Sequence, residues 1–232
     1  FRSGGVDTIT GLAAGVRLTS NDMLHKGDWI TVKSVDANGI VEDMSLTTVK
    51  VRNFDNTIVT ISPTTLVNGS FQNWIGMQKS GGRRVKRVVY FDFRSVRLVD
   101  ETLKRNLLAK HFATEDSFKL KESLQKAIDK DIQEGKDIED LKNPAALAPT
   151  NLQLYRKFME KYLRQRPEVN TDLTLMVRHM EATQCGLPIE FYFFIKDKVW
   201  VNYEHILADI MEHAYALANE FGLKIYEQYP EQ

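Results

Sequence analysis

The stretch 27–74 limits the possible folds most strongly, because it reads as a series of short strands separated by turn signals. In its first run, "GDWITVKSV", the apolar residues Ile30 and Val32 alternate with polar ones and share one face. A later "DN" at 55–56 separates "SLTTVKVRN" from "TIVTIS" and predicts a two-residue hairpin, and "SPTTLVNGSFQNW" then reads as a strand end and a turn. Short Thr- and Val-rich strands at this spacing predict a small, bent β-barrel over 25–80.

A helix is predicted ahead of the strands, over 7–19, with Asp7 as its N-cap. Its apolar face is formed by residues at i, i+3, i+4 and i+7: Ile9, Leu12, Ala13 and Val16. Gly11 and Gly15 lie one turn apart on another face, with Ala14 beside them. A glycine inside a helix costs about 1 kcal/mol relative to alanine. Either this helix frays, or the small residues allow a neighbouring helix to approach closely.

The rest of the chain mixes longer strands with helices. "RRVKRVVYFDFRSVRLV" is the longest strand candidate, and two charged helical runs follow within 101–149. Thr150 and Gln153 have the spacing of a capping box and open an amphipathic helix. Two strands around "QCG", a long helix that ends at Gly222, and a last strand, "LKIYEQY", complete the pattern. This order predicts a ferredoxin-like α+β domain over 81–232, with 101–149 as a helical insert.

The sequence contains no pattern typical of an enzyme or a metal site. His205, Asp209 and His213 share one face of the long helix, but no further ligand completes the set, so we interpret them as a solvated polar face. Three other reactive side chains lack a partner at a telling spacing: His111, His179 and Cys185. We therefore predict no enzyme activity, no cofactor and no metal. The single cysteine excludes an internal disulfide and fits a reducing compartment.

A basic cluster is the main candidate for a contact site; its members are Arg83, Arg84, Lys86 and Arg87. In a strand, Arg83 and Arg87 point to one side, and Arg84 and Lys86 point to the other. The cluster could contact phosphates of RNA or of lipid headgroups, or it could protect a sheet edge or pair across a subunit boundary. Lys+Arg and Asp+Glu both number 31, and no aromatic residues are interleaved with the cluster. We therefore predict no nucleic-acid binding.

Several segments together resemble the small-conductance mechanosensitive channel family. "LAAGV" at 12–16 resembles the end of the family's pore-lining helix. Segments similar to its miniconductance, YbdG-like branch follow in the same order: "NDMLHKGDWI", "SLTTVKVRNFDNTIVTISPTTLVNGSFQNW", "GGRRVKR", "TNLQLYRKFMEKYLRQRP", "LTLMVRHMEAT", "GLPIEFYFF", "WVNYEHILADIMEH" and "FGLKIYEQ". The resemblance covers about 7–229. "SPT" at 62–64 departs from the Ile-Pro-Asn of much of the family, so no role specific to that Asn is carried over.

The resemblance implies a channel of the bacterial inner membrane that opens when membrane tension rises after osmotic downshift and releases ions and small solutes. It implies a heptamer with an Sm-like barrel. This chain would be the cytoplasmic fragment of that channel, without its transmembrane helices. Residues 1–24 would be a linker and the end of the pore-helix segment, and 1–5 are left out of the fold prediction because they show no periodicity. The barrel at 25–80 and the domain at 81–232 would form the upper and lower walls of a vestibule.

Two other functions remain open from the residues. An Sm-like ring that binds nucleic acid would share the barrel, and a ferredoxin-like sensor of small molecules would share the second domain. The channel hypothesis explains why the small residues Gly11, Ala14 and Gly15 occur in this helix, since they would pack against spanning helices or their own copies during gating. We therefore expect substitution of the two glycines to change gating and to leave the stability of the soluble part nearly unchanged.

Overall fold

The structure is a computed structural model that describes residues 3–119, 122–135 and 148–228. The chain divides into two compact units, Phe1–Ser80 and Gly81–Gln232. Each unit has a hydrophobic core of its own.

The first unit consists of a long helix followed by a small antiparallel sheet. Its elements are α1 (Ser3–Ser20), β1 (Trp29–Val32), β2 (Ala37–Met44), β3 (Val49–Asn53), β4 (Ile58–Ile61), α2 (Pro63–Asn68), β5 (Gln72–Asn73) and α3 (Ile75–Lys79). The five strands are ordered β4-β3-β2-β1-β5. An irregularity between Val41 and Asp43 shifts the register of β2 against β3, and such a bulge increases the bend of a strand.

The core of the first unit comes from one face of these strands. Ile30 and Val32 of β1 are buried as predicted, and so are Val49 and Val51 of β3. Leu18 of α1 joins the same core, so the helix belongs to this unit. Apolar and polar residues alternate along a strand because successive side chains point to opposite faces of the sheet. This pattern depends only on neighbouring residues, so it was sufficient to predict the buried face of these strands.

Three local predictions for the first unit are wrong. Helix α1 begins at Ser3, so Asp7 lies inside the helix and not at its N-cap. The β3–β4 hairpin is longer than two residues: the Asn53 N–H donates to the Thr57 carbonyl at 2.8 Å, and Asn56 between them has a φ of 69°. The predicted turn after β4 is the short helix α2, because Ser62 caps its N-terminus and proline suits the first helical position.

The second unit packs helices against one face of a three-stranded antiparallel sheet. Its elements are β6 (Arg83–Phe91), α4 (Glu101–Ala109), α5 (Glu122–Gln133), α6 (Asn151–Gln165), β7 (Met176–His179), β8 (Leu187–Ile195) and α7 (Trp200–Ala218). The sheet order is β6-β8-β7, with β8 in the centre. Helices α6 and α7 share the core with this face, and the Tyr155 hydroxyl of α6 donates to the Ala214 carbonyl of α7 at 2.6 Å.

Two strand predictions in the second unit are too long. The strand from Arg83 ends at Phe91, because Asp92 caps a 3-10 turn by accepting from the Arg94 N–H at 2.9 Å. The last strand is reduced to a single bridge between Phe91 and Ile225. Two predicted helix ends are confirmed at their central residue: Thr150 is the N-cap, since its hydroxyl accepts from the Gln153 N–H at 3.1 Å, and Gly222 has a φ of 68°. The linker predicted at 142–150 lies mostly outside the described residues.

Candidate functional site

Helix α1 contacts its own unit through its small residues. Ala14, Gly15 and Leu18 are buried, whereas Ile9 and Val16 of the predicted apolar face are 70% and 52% exposed. The predicted orientation of this helix is therefore wrong. The helix packs against α2, and its apolar stripe remains on the outside of the unit.

Gly15 makes the closest of these contacts, with the turn between β2 and β3. A Cβ atom added at Gly15 would lie 2.2 Å from the carbonyl oxygen of Leu46, well inside van der Waals contact. At Gly11 the nearest atom would be the Thr64 hydroxyl, at 4.0 Å. The two glycines therefore have different surroundings, and the close contact at Gly15 argues against the expectation that the soluble part does not need it. Their role in gating stays a prediction.

An aromatic cluster lies on the outer face of the small sheet. The rings of Trp29 and Trp74 stack with centroids 4.7 Å apart, and Phe54 meets Trp29 edge-on at 5.4 Å. Both indole N–H groups are engaged: Trp29 donates to the Asn38 amide oxygen at 2.9 Å, and Trp74 donates to the Thr31 hydroxyl at 3.0 Å. These two hydrogen bonds orient the indole rings of Trp29 and Trp74 within the unit itself.

This cluster was not predicted from the sequence. Its signal was present, because Trp29 and Thr31 flank the buried Ile30 and must point to the opposite face of β1. Tryptophan and other aromatic residues are enriched in protein interfaces. The cluster is therefore a candidate contact surface of the first unit.

The two outer strands of the same sheet are a second candidate surface. Strands β4 and β5 lie at the ends of the strand order, and within the described ranges no further strand pairs with either of them. Ile58 of β4 and Gln72 of β5 are exposed. Open edges with such side chains can pair with another chain.

The basic cluster of β6 is divided between the two faces of its sheet, as strand alternation predicted. Arg83 lies over the ring of Tyr203 on α7, with its guanidinium carbon 4.3 Å from the ring centroid. Arg84 points to the other face, where its guanidinium carbon lies 5.9 Å from the centroid of the Tyr192 ring. Burial raises the pKa of Tyr203, whose hydroxyl donates to the Arg84 carbonyl at 2.9 Å. The cluster does not form one continuous basic patch.

Lys86 contributes to an ion cluster inside the second unit. The carboxylate of Glu190, in the central strand β8, is completely buried. Arg178 of β7 donates to this carboxylate at 2.5 Å, and the Lys86 ammonium lies 3.7 Å from its other oxygen. Arg87 is exposed on β6. Sequence reasoning overlooked Glu190, although it is the one charged residue within the apolar run "GLPIEFYFF".

The polar residues of the long helix are exposed, as predicted. His205, Asp209 and His213 lie on the surface of α7, and the His213 ring stacks on Tyr162 with centroids 5.8 Å apart. Among the residues that the structure describes, no three metal-ligating side chains converge. His111, His179 and Cys185 are also exposed and lie in separate segments. Across those same residues, no helix combines the length and apolar character needed to cross a bilayer.

The fold is thus a mixed α/β chain with one antiparallel sheet in each unit. Its first unit matches the family model described as "Mechanosensitive ion channel, beta-domain" over residues 7–76. The small-conductance mechanosensitive channel MscMJ of Methanocaldococcus jannaschii is 33% identical to this chain over 67 residues, which are 29% of this chain and 19% of that protein. This chain therefore matches about a fifth of that relative.

Two solved structures have a similar fold. Arabidopsis thaliana MSL1 aligns with a TM-score of 0.60 at 11% identity, covering 97% of this chain and 63% of that one. The closed state of Helicobacter pylori MscS aligns with a TM-score of 0.56 at 11% identity, covering 97% of this chain and 65% of that one. These two structures show a similar fold, and the family model and MscMJ show a similarity to mechanosensitive channels over part of the chain.

Proposed function

We propose that this chain is the cytoplasmic vestibule portion of a membrane-tension-gated channel of the miniconductance, YbdG-like branch. The channel releases ions and small solutes after osmotic downshift. The observation that carries the proposal is the match of residues 7–76 to the β-domain of mechanosensitive channels. The fold shared with two solved structures over 97% of the chain supports it.

Under this proposal the first unit is an Sm-like barrel over 25–80 and the second is a ferredoxin-like domain over 81–232. The strand order β4-β3-β2-β1-β5 and the bend in β2 favour the barrel. The order β6-β8-β7, extended beside β6 by the bridge to Ile225, favours the ferredoxin-like arrangement. Helices α4 and α5 lie within 101–149, the region predicted to be an insert in that domain.

Helix α1 is, in this proposal, the end of the segment that lines the pore. Its exposed stripe of Ile9, Leu12 and Val16 suits contact with spanning helices or with neighbouring copies. Gly11 and Gly15 both face the chain's own unit, where Gly11 is loosely packed beside Thr64 of α2 and Gly15 lies directly against the β2–β3 turn. The chain then lies on the cytoplasmic side of the bacterial inner membrane and needs no cofactor.

The functional test uses the full-length protein that contains this chain. It is expressed in a bacterial strain that lacks its own mechanosensitive channels. We expect improved survival of osmotic downshift and a current in excised patches that rises with membrane tension. A protein that reaches the membrane but carries no tension-dependent current would overturn the proposal.

The channel is proposed to be a homo-oligomer, a heptamer by resemblance, in which β4 of one copy approaches β5 of the next. Two cysteines test this arrangement, Ile58→Cys and Gln72→Cys, in a Cys185→Ser background of the full-length protein. Oxidation should produce a ladder of crosslinked species that ends at the ring size. The control pair combines Gln72→Cys with Lys50→Cys, which lies on the inner strand β3. This pair should produce no crosslinked ladder. Equal ladders from both pairs would contradict the edge contact.

A further inference from the structure

A cavity of about 370 Å³ lies in the second unit, between α6 and the loop that follows α4. Helix α6 lines it with two adjacent rows of side chains, each spaced by four residues, so the members of a row are neighbours on the helix surface. The first row is apolar or aromatic and consists of Leu154, Phe158 and Tyr162. The second row is polar and consists of Lys157, Lys161 and Gln165. The cavity thus has an aromatic side and a cationic side.

The loop continues the aromatic side. Phe112 meets Phe158 edge-on with ring centroids 5.2 Å apart, and it also stacks against Phe221 at 6.0 Å. These contacts hold Phe112 in place. Further along the loop, the Thr114 N–H donates to the Ser117 hydroxyl at 3.1 Å, so two hydroxyl groups lie in a fixed turn at the cavity.

The cationic side is free to bind an anion. Lys157 and Lys161 are exposed, and neither forms an ion pair with any residue that the structure describes. The lining residues given by the described ranges include His111 but no carboxylate. The Cβ atoms of residues four apart on a helix are about 5–6 Å from each other, so both ammonium groups can reach one phosphate. Lysine binds phosphate as a point charge.

We propose that this cavity binds a small organic phosphate with a planar ring, of about mononucleotide size. The ring packs against Phe112 and Phe158, and the phosphate lies between Lys157 and Lys161. The volume is at the lower end of the roughly 300–1,000 Å³ typical of small-molecule pockets. The proposed channel function uses none of these residues, so either proposal can fail without the other.

The test measures binding of adenosine 5′-monophosphate to the whole chain by calorimetry. Adenosine and inorganic phosphate serve as the two half-probes. We expect the nucleotide to bind at least about tenfold more tightly than either, because only it uses both sides of the cavity. The double variant Lys157→Gln and Lys161→Gln should weaken nucleotide binding by at least about tenfold and leave adenosine binding unchanged. Both lysines are exposed, so the variant should fold normally.

The double variant Lys33→Gln and Lys50→Gln is the charge-matched control, since it removes two exposed lysines from the first unit. Hydrogen exchange gives a second readout, and the nucleotide should protect the amides of 111–117. Three outcomes would overturn the proposal. They are no binding of the nucleotide, equal binding of inorganic phosphate, and nucleotide binding that the lysine double variant leaves intact.

Discussion

Replacing Gly15 by alanine should destabilise the first unit, although alanine is the better helix former. The added Cβ would lie 2.2 Å from the Leu46 carbonyl oxygen, whereas real Cβ atoms essentially never come within 3.0 Å, so the helix or the turn must move by at least 0.8 Å. The obstacle is backbone and cannot rotate away. Overpacking of this kind costs about 1–3 kcal/mol, and the helix propensity of alanine returns about 1 kcal/mol. Because a 2.2 Å approach is severe, we take the upper end of the overpacking range and expect the free energy of unfolding to fall by about 2 kcal/mol.

Gly11→Ala is the matched control on the same helix. Its Cβ would meet only the Thr64 hydroxyl at 4.0 Å, so the variant should gain about 0.5–1 kcal/mol from helix propensity alone. For a unit of this size, each 1 kcal/mol shifts the Tm by about 4–8 °C. The two variants should thus differ by roughly 10 °C or more in the thermal unfolding of the first unit.

Tryptophan fluorescence can follow that unit, because Trp29 and Trp74 lie in it and the third tryptophan, Trp200, lies in the other. Circular dichroism at 222 nm reports both units together and serves as the reference. Equal unfolding temperatures for Gly15→Ala and Gly11→Ala would refute the argument. They would show that α1 does not approach the β2–β3 turn at Gly15.

Three further predictions concern the second unit and the whole chain. Arg178→Ala should cost about 1.5–3 kcal/mol in urea unfolding because it removes the 2.5 Å hydrogen bond to the buried Glu190 carboxylate. Lys86→Ala should cost about 1 kcal/mol or less, because its ammonium lies 3.7 Å from that carboxylate and both cations are about half exposed; equal losses would contradict the difference. Tyr155→Phe should cost about 1 kcal/mol, since it removes the 2.6 Å bond to the Ala214 carbonyl, and an unchanged urea midpoint would argue against that bond. RNA titrations at physiological salt should show no sub-micromolar binding, and a tight, steeply salt-dependent complex would favour the nucleic-acid ring.

The strands of the first unit were predictable because their signal is local. Ile30 and Val32 alternate with polar residues over a few positions, and one face of a sheet must be buried whichever partner covers it. The cap at Thr150 and the left-handed Gly222 were predictable for the same reason, since each depends on residues within one turn. The cap at Ser62 was equally local, but the proline and the Asn-Gly pair were read as turn signals instead.

The buried face of α1 was not predictable from its own residues. Counting apolar side chains selects Ile9, Leu12 and Val16, but within 9–20 the buried residues are Ala14, Gly15 and Leu18. A hydrophobic stripe predicts that one face of a helix is buried in a contact. It does not indicate whether the contacting surface belongs to the same unit. The end of the chain shows the same limit, because "LKIYEQY" has a strand pattern and only Ile225 forms a bridge.

The two faces of α1 have different contacts, and both bear on the proposed channel. The small-residue face allows the helix to lie directly on the backbone of the β2–β3 turn, and such a contact is stiff because backbone atoms cannot adopt other rotamers. The large apolar face, with Ile9 70% and Val16 52% exposed, remains available to another surface. A helix that is packed against its own unit on one side and exposed on the other can pass a displacement from its outer contacts to the sheet. We therefore expect the close contact at Gly15, and not the exposed stripe, to determine how firmly the proposed pore segment and the sheet move together.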